Sequence, residues 1–251
     1  MKKIIIPLLN ILCFYCKAQE KESYYIFDRD WNPVKNVKQA KYFIHVEKKD
    51  DTTWQWDYYN FIGPRIKTES YKDEKGAIPN GFFAYYSGSG FLDSCGQVIN
   101  QRKHQIWTYF QGDSGKVYLR KTYAHGFLVK TEDYRQRKEV AETDTMQKTF
   151  AKVEVESEFN GGTKAWQTYL NKNLRYPERA INAESQGMVW VLFVVDTKGK
   201  LTEPVIAKSV EFSLDQEAMR IIKNSPDWTP AVQNGQKVRS YKKQPIIFQL
   251  K

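Results

Sequence analysis

Eight consecutive apolar residues in the C-terminal part of the chain limit its fold more than any other feature. The run reads Met-Val-Trp-Val-Leu-Phe-Val-Val from Met188 to Val195 and lies between Gly187 and Asp196. It is too short to cross a bilayer, which needs about 20 apolar residues. Because the run is rich in β-branched and aromatic residues and ends in turn-forming residues, it predicts a buried central strand.

Helical patterns come before this run. Four apolar residues at spacings of one helical face follow Gly161-Gly162: Trp166, Tyr169, Leu170 and Leu174. They predict a helix with Thr163 as its candidate cap. Pro177 disfavours helix at Tyr176 and suits the first position of a second, short helix.

The residues after the run predict a strand, a helix and a last strand. Asp196–Gly199 predicts a tight turn into an antiparallel strand over 200–209, with a bulge or edge at Pro204. Ser213 and Gln216 have the spacing of a capping box at the start of an amphipathic helix. Residues 241–250 predict the final strand. The order indicates an α+β domain: a three-stranded antiparallel sheet with helices on one face.

Residues 19–135 predict a mainly β region built from aromatic hairpins. Tyr85 and Tyr86 correspond to Tyr109 and Phe110, each 24 positions later, and both pairs precede a glycine turn. A weaker copy covers 58–66, and 123–128 closes the series. Because one hairpin cannot bury its own apolar face, neighbouring units must stack.

The N-terminus has the layout of a secretory signal. Two lysines precede an apolar stretch over 4–15, and Ala18 is a suitable small residue at a cleavage site. We therefore expect a signal peptide over 1–18; an uncleaved membrane anchor is the alternative. Removal would take away Cys13 and Cys16 and leave Cys95, which we interpret as a small buried apolar residue.

Residues 136–154 are strongly charged and predict a linker with partial helical character. The expected domains are thus the hairpin region at 19–135 and a C-terminal domain at 155–251. The formal charge is +10, but the lysines are scattered among acidic residues, which argues against nucleic-acid binding. The sequence contains no catalytic motif, phosphate loop or metal-ligand spacing, so we expect neither an enzyme nor a cofactor.

Seven motifs in the C-terminal region occur in an order that resembles the TonB C-terminal domain. They are Phe-x-Gly-Gly at 159–162, Tyr-Pro-x-x-Ala at 176–180, Gly-x-Val-x-Val-x-Phe-x-Val at 187–195, Asp-x-x-Gly at 196–199, Leu-Asp-x-Glu-Ala at 214–218, Pro-x-Trp-x-Pro-Ala-x-x-Asn-Gly at 226–235 and Pro-Ile-x-Phe-x-Leu at 245–250. Residues 55–130 resemble MORN-type repeats, which usually form scaffolds or interaction surfaces.

The TonB resemblance implies a function in the periplasm. Domains of this family bind the TonB box, a short peptide of an outer-membrane transporter, by adding it as a strand to the exposed sheet edge. Here the edge would be the final strand, and the segment before Tyr176-Pro177 would lie close to the peptide. The implied peptide-binding residues are Asn173, Leu174, Arg175, Tyr176, Pro177, Lys243, Gln244, Ile246, Ile247, Phe248 and Gln249.

The resemblance also implies further partners. A transducing TonB protein keeps a membrane anchor that couples it to a proton-driven inner-membrane complex, and it has a long proline-rich spacer. This chain instead has a short predicted signal and a folded spacer, so a scaffold of the cell envelope that transduces no energy is the alternative. The exposed edge would also admit a homodimer.

Overall fold

The computed structural model describes residues 22–135, 143–144, 149–150 and 153–250. The predicted signal peptide at 1–18 and most of the predicted linker at 136–154 lie outside the described residues. Cleavage after Ala18 therefore stays a prediction.

The N-terminal part is one nine-stranded antiparallel sheet in which each strand pairs with the next along the chain. Its strands are β1 (Glu22–Phe27), β2 (Tyr42–Asp50), β3 (Thr53–Asn60), β4 (Arg65–Tyr71), β5 (Gly81–Tyr86), β6 (Leu92–Ile99), β7 (Arg102–Gln111), β8 (Lys116–Ala124) and β9 (Phe127–Asp133).

The aromatic periodicity places equivalent residues on the same face of this sheet. Tyr85 lies opposite Ser94, which lies opposite Tyr109, so the two tyrosines share a face. They pack around the buried Trp107, whereas Tyr86 and Phe110 belong to a separate cluster. The predicted mainly β hairpin region is therefore confirmed; its relation to MORN-type repeats stays a prediction.

The C-terminal part combines three helices with short and long strands. Its elements are β10 (Thr143–Asp144), β11 (Thr149–Phe150), β12 (Glu158–Phe159), α1 (Gly162–Asn173), α2 (Glu178–Asn182), β13 (Gly187–Val195), β14 (Leu201–Lys208), α3 (Phe212–Lys223), β15 (Trp228–Thr229), β16 (Ala231–Gln233) and β17 (Gln236–Phe248). The main sheet has the order β10-β11-β17-β13-β14, and β16 also pairs with β17. The predicted antiparallel trio is β14-β13-β17, and the α+β class is confirmed.

Strand β13 lies at the centre of the C-terminal core. Its residues Val189, Val191 and Phe193 are fully buried in the cluster that α1, α2 and α3 complete. On the other face, Leu192 lines a cavity beneath the N-terminal sheet. This cover explains why the apolar run is continuous: a strand covered on both faces needs no polar residues between the apolar ones.

Several local predictions needed correction. Helix α1 begins at Gly162 after Gly161, and no side chain caps it, so Thr163 is not the cap. Helix α3 is capped by the Glu211 carboxylate, which accepts a hydrogen bond from the backbone N–H of Ser213, so the predicted Ser213–Gln216 capping box is wrong. Glu211 competes successfully because its carboxylate reaches the free N–H groups of the first turn.

The described residues of the predicted linker include two short strands. Residues 143–144 and 149–150 form β10 and β11, and β11 pairs in parallel with β17. The partial helical character predicted for 136–154 stays a prediction, because most of this range lies outside the described residues. The bulge or edge predicted at Pro204 is confirmed, because the pairing of β14 with β13 shifts register opposite 203–204.

Candidate functional site

The outer side of β17 is the feature that agrees with the predicted binding edge. Strand β13 pairs with one side of β17 from Ser240 to Phe248. On the opposite side, β16 pairs with 236–238 and β11 with 239–240. Within the described residues, no strand pairs with this outer side from 242 to 248. Among those residues, the backbone groups that point outward along this stretch therefore lack a strand partner.

The position of Pro245 indicates which backbone groups point outward. Proline has no N–H, so in a sheet it is favoured where the missing donor faces away from the ladder. Pro245 is paired in register with Trp190, and its nitrogen is thus expected on the outer side. Since N–H groups alternate sides along a strand, the outward donors are those of Lys243 and Ile247.

The side chains of the predicted edge residues divide between surface and core. Ile247 is 59% exposed, an unusual position for isoleucine on a strand edge, and Lys243 and Gln249 are also exposed. Gln244 is half-buried. In contrast, the side chains of Ile246 and Phe248 are buried in the core. These two residues could contact a bound peptide only through their backbones.

The predicted approach segment, 173–177, meets the end of this edge. Asn173 is the last residue of α1, and residues 174–177 connect α1 to α2. The Tyr176 ring packs edge-on against Phe248, with ring centroids 5.8 Å apart. The Tyr176 hydroxyl donates a hydrogen bond of 2.7 Å to the carbonyl of Ser185. The structure thus brings together two segments that are 70 residues apart in the sequence.

A buried carboxylate holds the approach segment in place. Glu217 on α3 accepts a hydrogen bond of 2.7 Å from the backbone N–H of Arg175. It also forms a two-pronged ion pair with Arg220, whose guanidinium in turn donates to the carbonyl of Asn173 at 2.7 Å. Leu174 and Pro177 are half-buried, and Arg175 is exposed.

The charge along the edge is positive. Strand β17 contains Lys237, Arg239, Lys242 and Lys243 and no acidic residue. The Lys243 ammonium lies 4.4 Å from the ring centroid of Trp190 and donates to the carbonyl of Ser114. A bound peptide that is neutral or acidic would therefore suit the positive charge of β17 better than a basic peptide.

A buried polar network joins the two sheets at a place that the sequence did not indicate. The Tyr59 hydroxyl donates to Asp215 at 2.9 Å and accepts from the Arg65 guanidinium at 2.7 Å. The Ser209 hydroxyl donates to Asp215 at 2.6 Å and accepts from the backbone N–H of Arg65. Asp215 belongs to the motif at 214–218, but Tyr59 lies 156 residues earlier in the chain, and no local pattern signals this contact.

The network contains two carboxylates with opposite pKa shifts. Burial raises the pKa of Asp215 to about 6, although Arg65 and the surrounding donors act against this rise. Burial also raises the pKa of Asp57, but the Arg65 guanidinium and the Thr68 hydroxyl outweigh it and bring the pKa below its ordinary value. The Arg65 guanidinium lies closer to the Asp57 carboxylate, at 3.3 Å, than to the Asp215 carboxylate, at 3.8 Å.

Other classes of site find no support in the described part of the chain. There, no group of three or more histidine, cysteine or acidic residues is arranged to hold a metal ion. Among the described helices, none combines the length and the apolarity needed to span a membrane.

Comparison with known proteins identifies the C-terminal part. Residues 172–250 match the family model of the Gram-negative bacterial TonB protein C-terminal domain. The matched stretch includes the approach segment, the central strand β13 and all of β17. No match was found among curated proteins or solved structures. The resemblance read from the ordered motifs is thereby confirmed for this third of the chain, and the family is one of protein-interaction domains in the cell envelope.

Proposed function

We propose that this chain is an envelope protein whose C-terminal domain binds an extended peptide of a TonB-dependent outer-membrane transporter. The observation that carries the proposal is the outer side of β17, which lacks a strand partner among the described residues over 242–248 and lies in the part that matches the TonB family. Unpaired N–H and C=O groups on an edge strand are a template for strand addition.

The residues around the edge have distinct roles in this proposal. Lys243 and Ile247 supply outward backbone donors, Gln244, Ile246 and Phe248 complete the strand, and Gln249 follows its end. The exposed Ile247 side chain contributes an apolar contact. Residues 173–177 form the wall beside the end of the peptide, with Tyr176 in contact with Phe248.

The location and the coupling to energy are part of the same proposal. We place the protein in the periplasm, with residues 1–18 as its secretion signal. Contact with a proton-driven inner-membrane complex would require an N-terminal segment that stays in the membrane. N-terminal sequencing after cell fractionation decides this point: a start at Gln19 in the soluble periplasm supports a cleaved module, and retention of Met1 in the membrane supports a transducer.

Peptide titration of the full chain tests the binding proposal. TonB-box peptides from the transporters of the source organism are added to isotope-labelled protein, and backbone amide shifts are followed by NMR. We expect the shifts to cluster on 241–249 and 173–177. Ile247→Pro should abolish binding because it removes an outward donor, whereas Ile247→Ala should weaken it only moderately because it keeps the N–H.

Ile62→Ala is the matched control, since Ile62 is also 59% exposed but lies in the turn between β3 and β4. It should leave binding unchanged. Absence of shifts at millimolar peptide, or equal binding by the Ile247→Pro variant, would contradict the proposal.

An envelope scaffold that transduces no energy is the second candidate. It is favoured by the buried contacts of Tyr59 and Arg65 with Asp215 and Ser209, which attach a large sheet to the C-terminal domain in place of an extended spacer. Uptake of iron complexes and vitamins in a deletion strain separates the two candidates. Normal uptake favours the scaffold, and a strong defect favours transport.

Pairing of two copies through β17 is a further part of the proposal. Sedimentation over a range of concentrations should then show a dimer that Ile247→Pro and saturating peptide both dissociate. A monomer at all concentrations would contradict dimer formation through β17 but would not contradict peptide binding.

A further inference from the structure

A cavity of about 670 Å³ lies between the two sheets, away from the outer side of β17. One wall comes from β3, β5, β6, β7 and β8 of the N-terminal sheet. The other wall comes from β13, β14 and β17 of the C-terminal sheet. The volume falls within the range of small-molecule sites, roughly 300–1,000 Å³.

The walls of the cavity are mainly apolar. Phe82, Phe110 and Val117 line it from the N-terminal sheet, and Leu192 and Val205 line it from the C-terminal sheet. Burial raises the pKa of Cys95, which also lines the cavity, to about 12, so its thiol is neutral and adds no charge. The body of any occupant must therefore be apolar.

Arg120 is the buried cation among the residues that line the cavity. Its side chain lines the cavity, the residue is only 8% exposed, and its Nε atom has no hydrogen-bond partner in the described part of the chain. The residue opposite Arg120 on β9 is Glu132, but that carboxylate pairs with Lys130 at 2.9 Å. The guanidinium lies over the face of the Tyr134 ring, 5.9 Å from the ring centroid. A buried cation without an anion is costly, so the site is one that an anion would stabilise.

The other charged residues of the cavity strengthen this preference. Lys116 adds a second positive charge at the exposed rim. Among the described residues that line the cavity, the one acidic residue is Glu203, and its carboxylate pairs with Arg239 at 2.9 Å. No free carboxylate among these residues therefore competes for Arg120.

The position of Arg120 follows from the register of the sheet. Ala84, Cys95, Thr108 and Arg120 are direct neighbours on successive strands and share one face. Cys95, Thr108 and Arg120 all line the cavity. The small side chains of Cys95 and Thr108 thus leave space within the cavity, and Arg120 is the next residue in the same row of the sheet.

We propose that this cavity binds a small amphipathic monocarboxylate, with its hydrocarbon body between the sheets and its carboxylate on Arg120. The planar guanidinium fork matches a carboxylate in a bidentate arrangement, and a single buried cation matches a single negative charge. This site is independent of strand addition to β17. A failure of carboxylate binding would therefore not contradict the proposed function, and a failure of peptide binding would not contradict this proposal.

Calorimetric titration of the full chain with decanoate tests the proposal, with decanol and decyl phosphate as comparison ligands. We expect one decanoate per chain and weaker binding of both comparison ligands. A carbon-13 label at the carboxyl should shift on binding. Arg120→Met keeps the side-chain volume but removes the charge, and it should weaken decanoate binding by about tenfold or more. Thr108→Phe should abolish binding by filling the cavity.

Arg29→Met is the control, since Arg29 is an exposed arginine outside the cavity. It should leave affinity unchanged, and thermal melts should show that all variants fold. No decanoate binding by the folded wild type would overturn the proposal. Equal affinity for decanol, tighter binding of decyl phosphate, or unchanged affinity in the folded Arg120→Met or Thr108→Phe variants would overturn it as well.

Discussion

Tyr59 and Asp215 are 156 positions apart in the chain, and the hydroxyl of the first donates a hydrogen bond of 2.9 Å to the carboxylate of the second. Both residues are buried. Tyr59 lies on β3 of the N-terminal sheet, and Asp215 lies in the first turn of α3. Because neither group has water to replace its partner, the two parts of the chain depend on each other for the pairing of their buried polar atoms.

Tyr59→Phe should destabilise the whole protein. The substitution removes only the hydroxyl, which leaves Asp215 without one donor and Arg65 without one acceptor. The expected loss is about 1–3 kcal/mol in the free energy of unfolding, measured by urea denaturation. Tyr25→Phe is the control, because Tyr25 is 45% exposed and should lose almost nothing. Equal stability of the two variants would show that the network is not a source of stability.

Asp215→Asn should change how stability depends on pH. The pKa of Asp215 rises from 3.8 to about 6 on folding because burial disfavours its charge. The folded state therefore holds this proton more tightly than the unfolded state. The stability from the neutral carboxyl is present in full below the unfolded pKa and is lost as the pH rises through the folded pKa.

Asparagine cannot titrate, so the Asp215→Asn variant lacks this loss of stability with rising pH. The unfolding free energy of the wild type relative to Asp215→Asn should fall by about 3 kcal/mol between roughly pH 4 and pH 7. Denaturation curves of both proteins across this range provide the measurement. A difference that is constant with pH would contradict a raised pKa at Asp215.

Gly90→Ala should disturb the junction between the two sheets. Gly90 has a positive φ of 84°, and an added Cβ would lie 2.3 Å from the carbonyl oxygen of Ser209. The Gly90 carbonyl also accepts a hydrogen bond of 2.8 Å from the backbone N–H of Ser209. Since backbone atoms on both sides must move, we expect a loss on the order of 2–4 kcal/mol by chemical denaturation.

Gly88→Ala is the matched control for this variant, because Gly88 lies in the same turn and an added Cβ would meet nothing within 4 Å. It should have nearly wild-type stability. A similar loss in both variants would assign the effect to the turn alone and not to the junction.

The elements of the C-terminal domain were predictable from local patterns, and its extent was not. The apolar run at 188–195 and the alternation at 246–248 each predict a strand, because side-chain periodicity reflects which face is buried. The turn at 196–199 predicts where the first of these strands ends. The extra strands β10 and β11 have only two residues each and lie in a charged segment. Strand β11 pairs with β17 and β10 pairs with β11, and no local pattern reveals either pairing.

Sequence patterns could not predict the contacts between residues that are distant in the chain. Arg65 and Asp215 are each typical of a solvated surface residue, and only the folded chain shows that they lie 3.8 Å apart and buried. The candidate edge was easier to predict from the sequence, since ordered motifs identified the final strand. Even there, the burial of Ile246 and Phe248, the exposure of Ile247 and the contact of Tyr176 with Phe248 required the structure.

Glu217→Ala should release the segment beside the candidate peptide edge. The variant removes the acceptor for the backbone N–H of Arg175 and the ion-pair partner of Arg220. We therefore expect the Arg175 amide to exchange its hydrogen at least about tenfold faster, as measured by NMR. TonB-box peptides should bind this variant more weakly, because ordering the segment would then oppose binding.

Glu178→Ala serves as the control for the same measurements, since Glu178 is exposed in the neighbouring helix α2. It should change neither the exchange rate nor the affinity. Faster exchange at Arg175 together with unchanged peptide affinity would exclude residues 173–177 from the binding site. The outer side of β17 would then remain as the whole of the candidate site, because its backbone groups do not depend on Glu217.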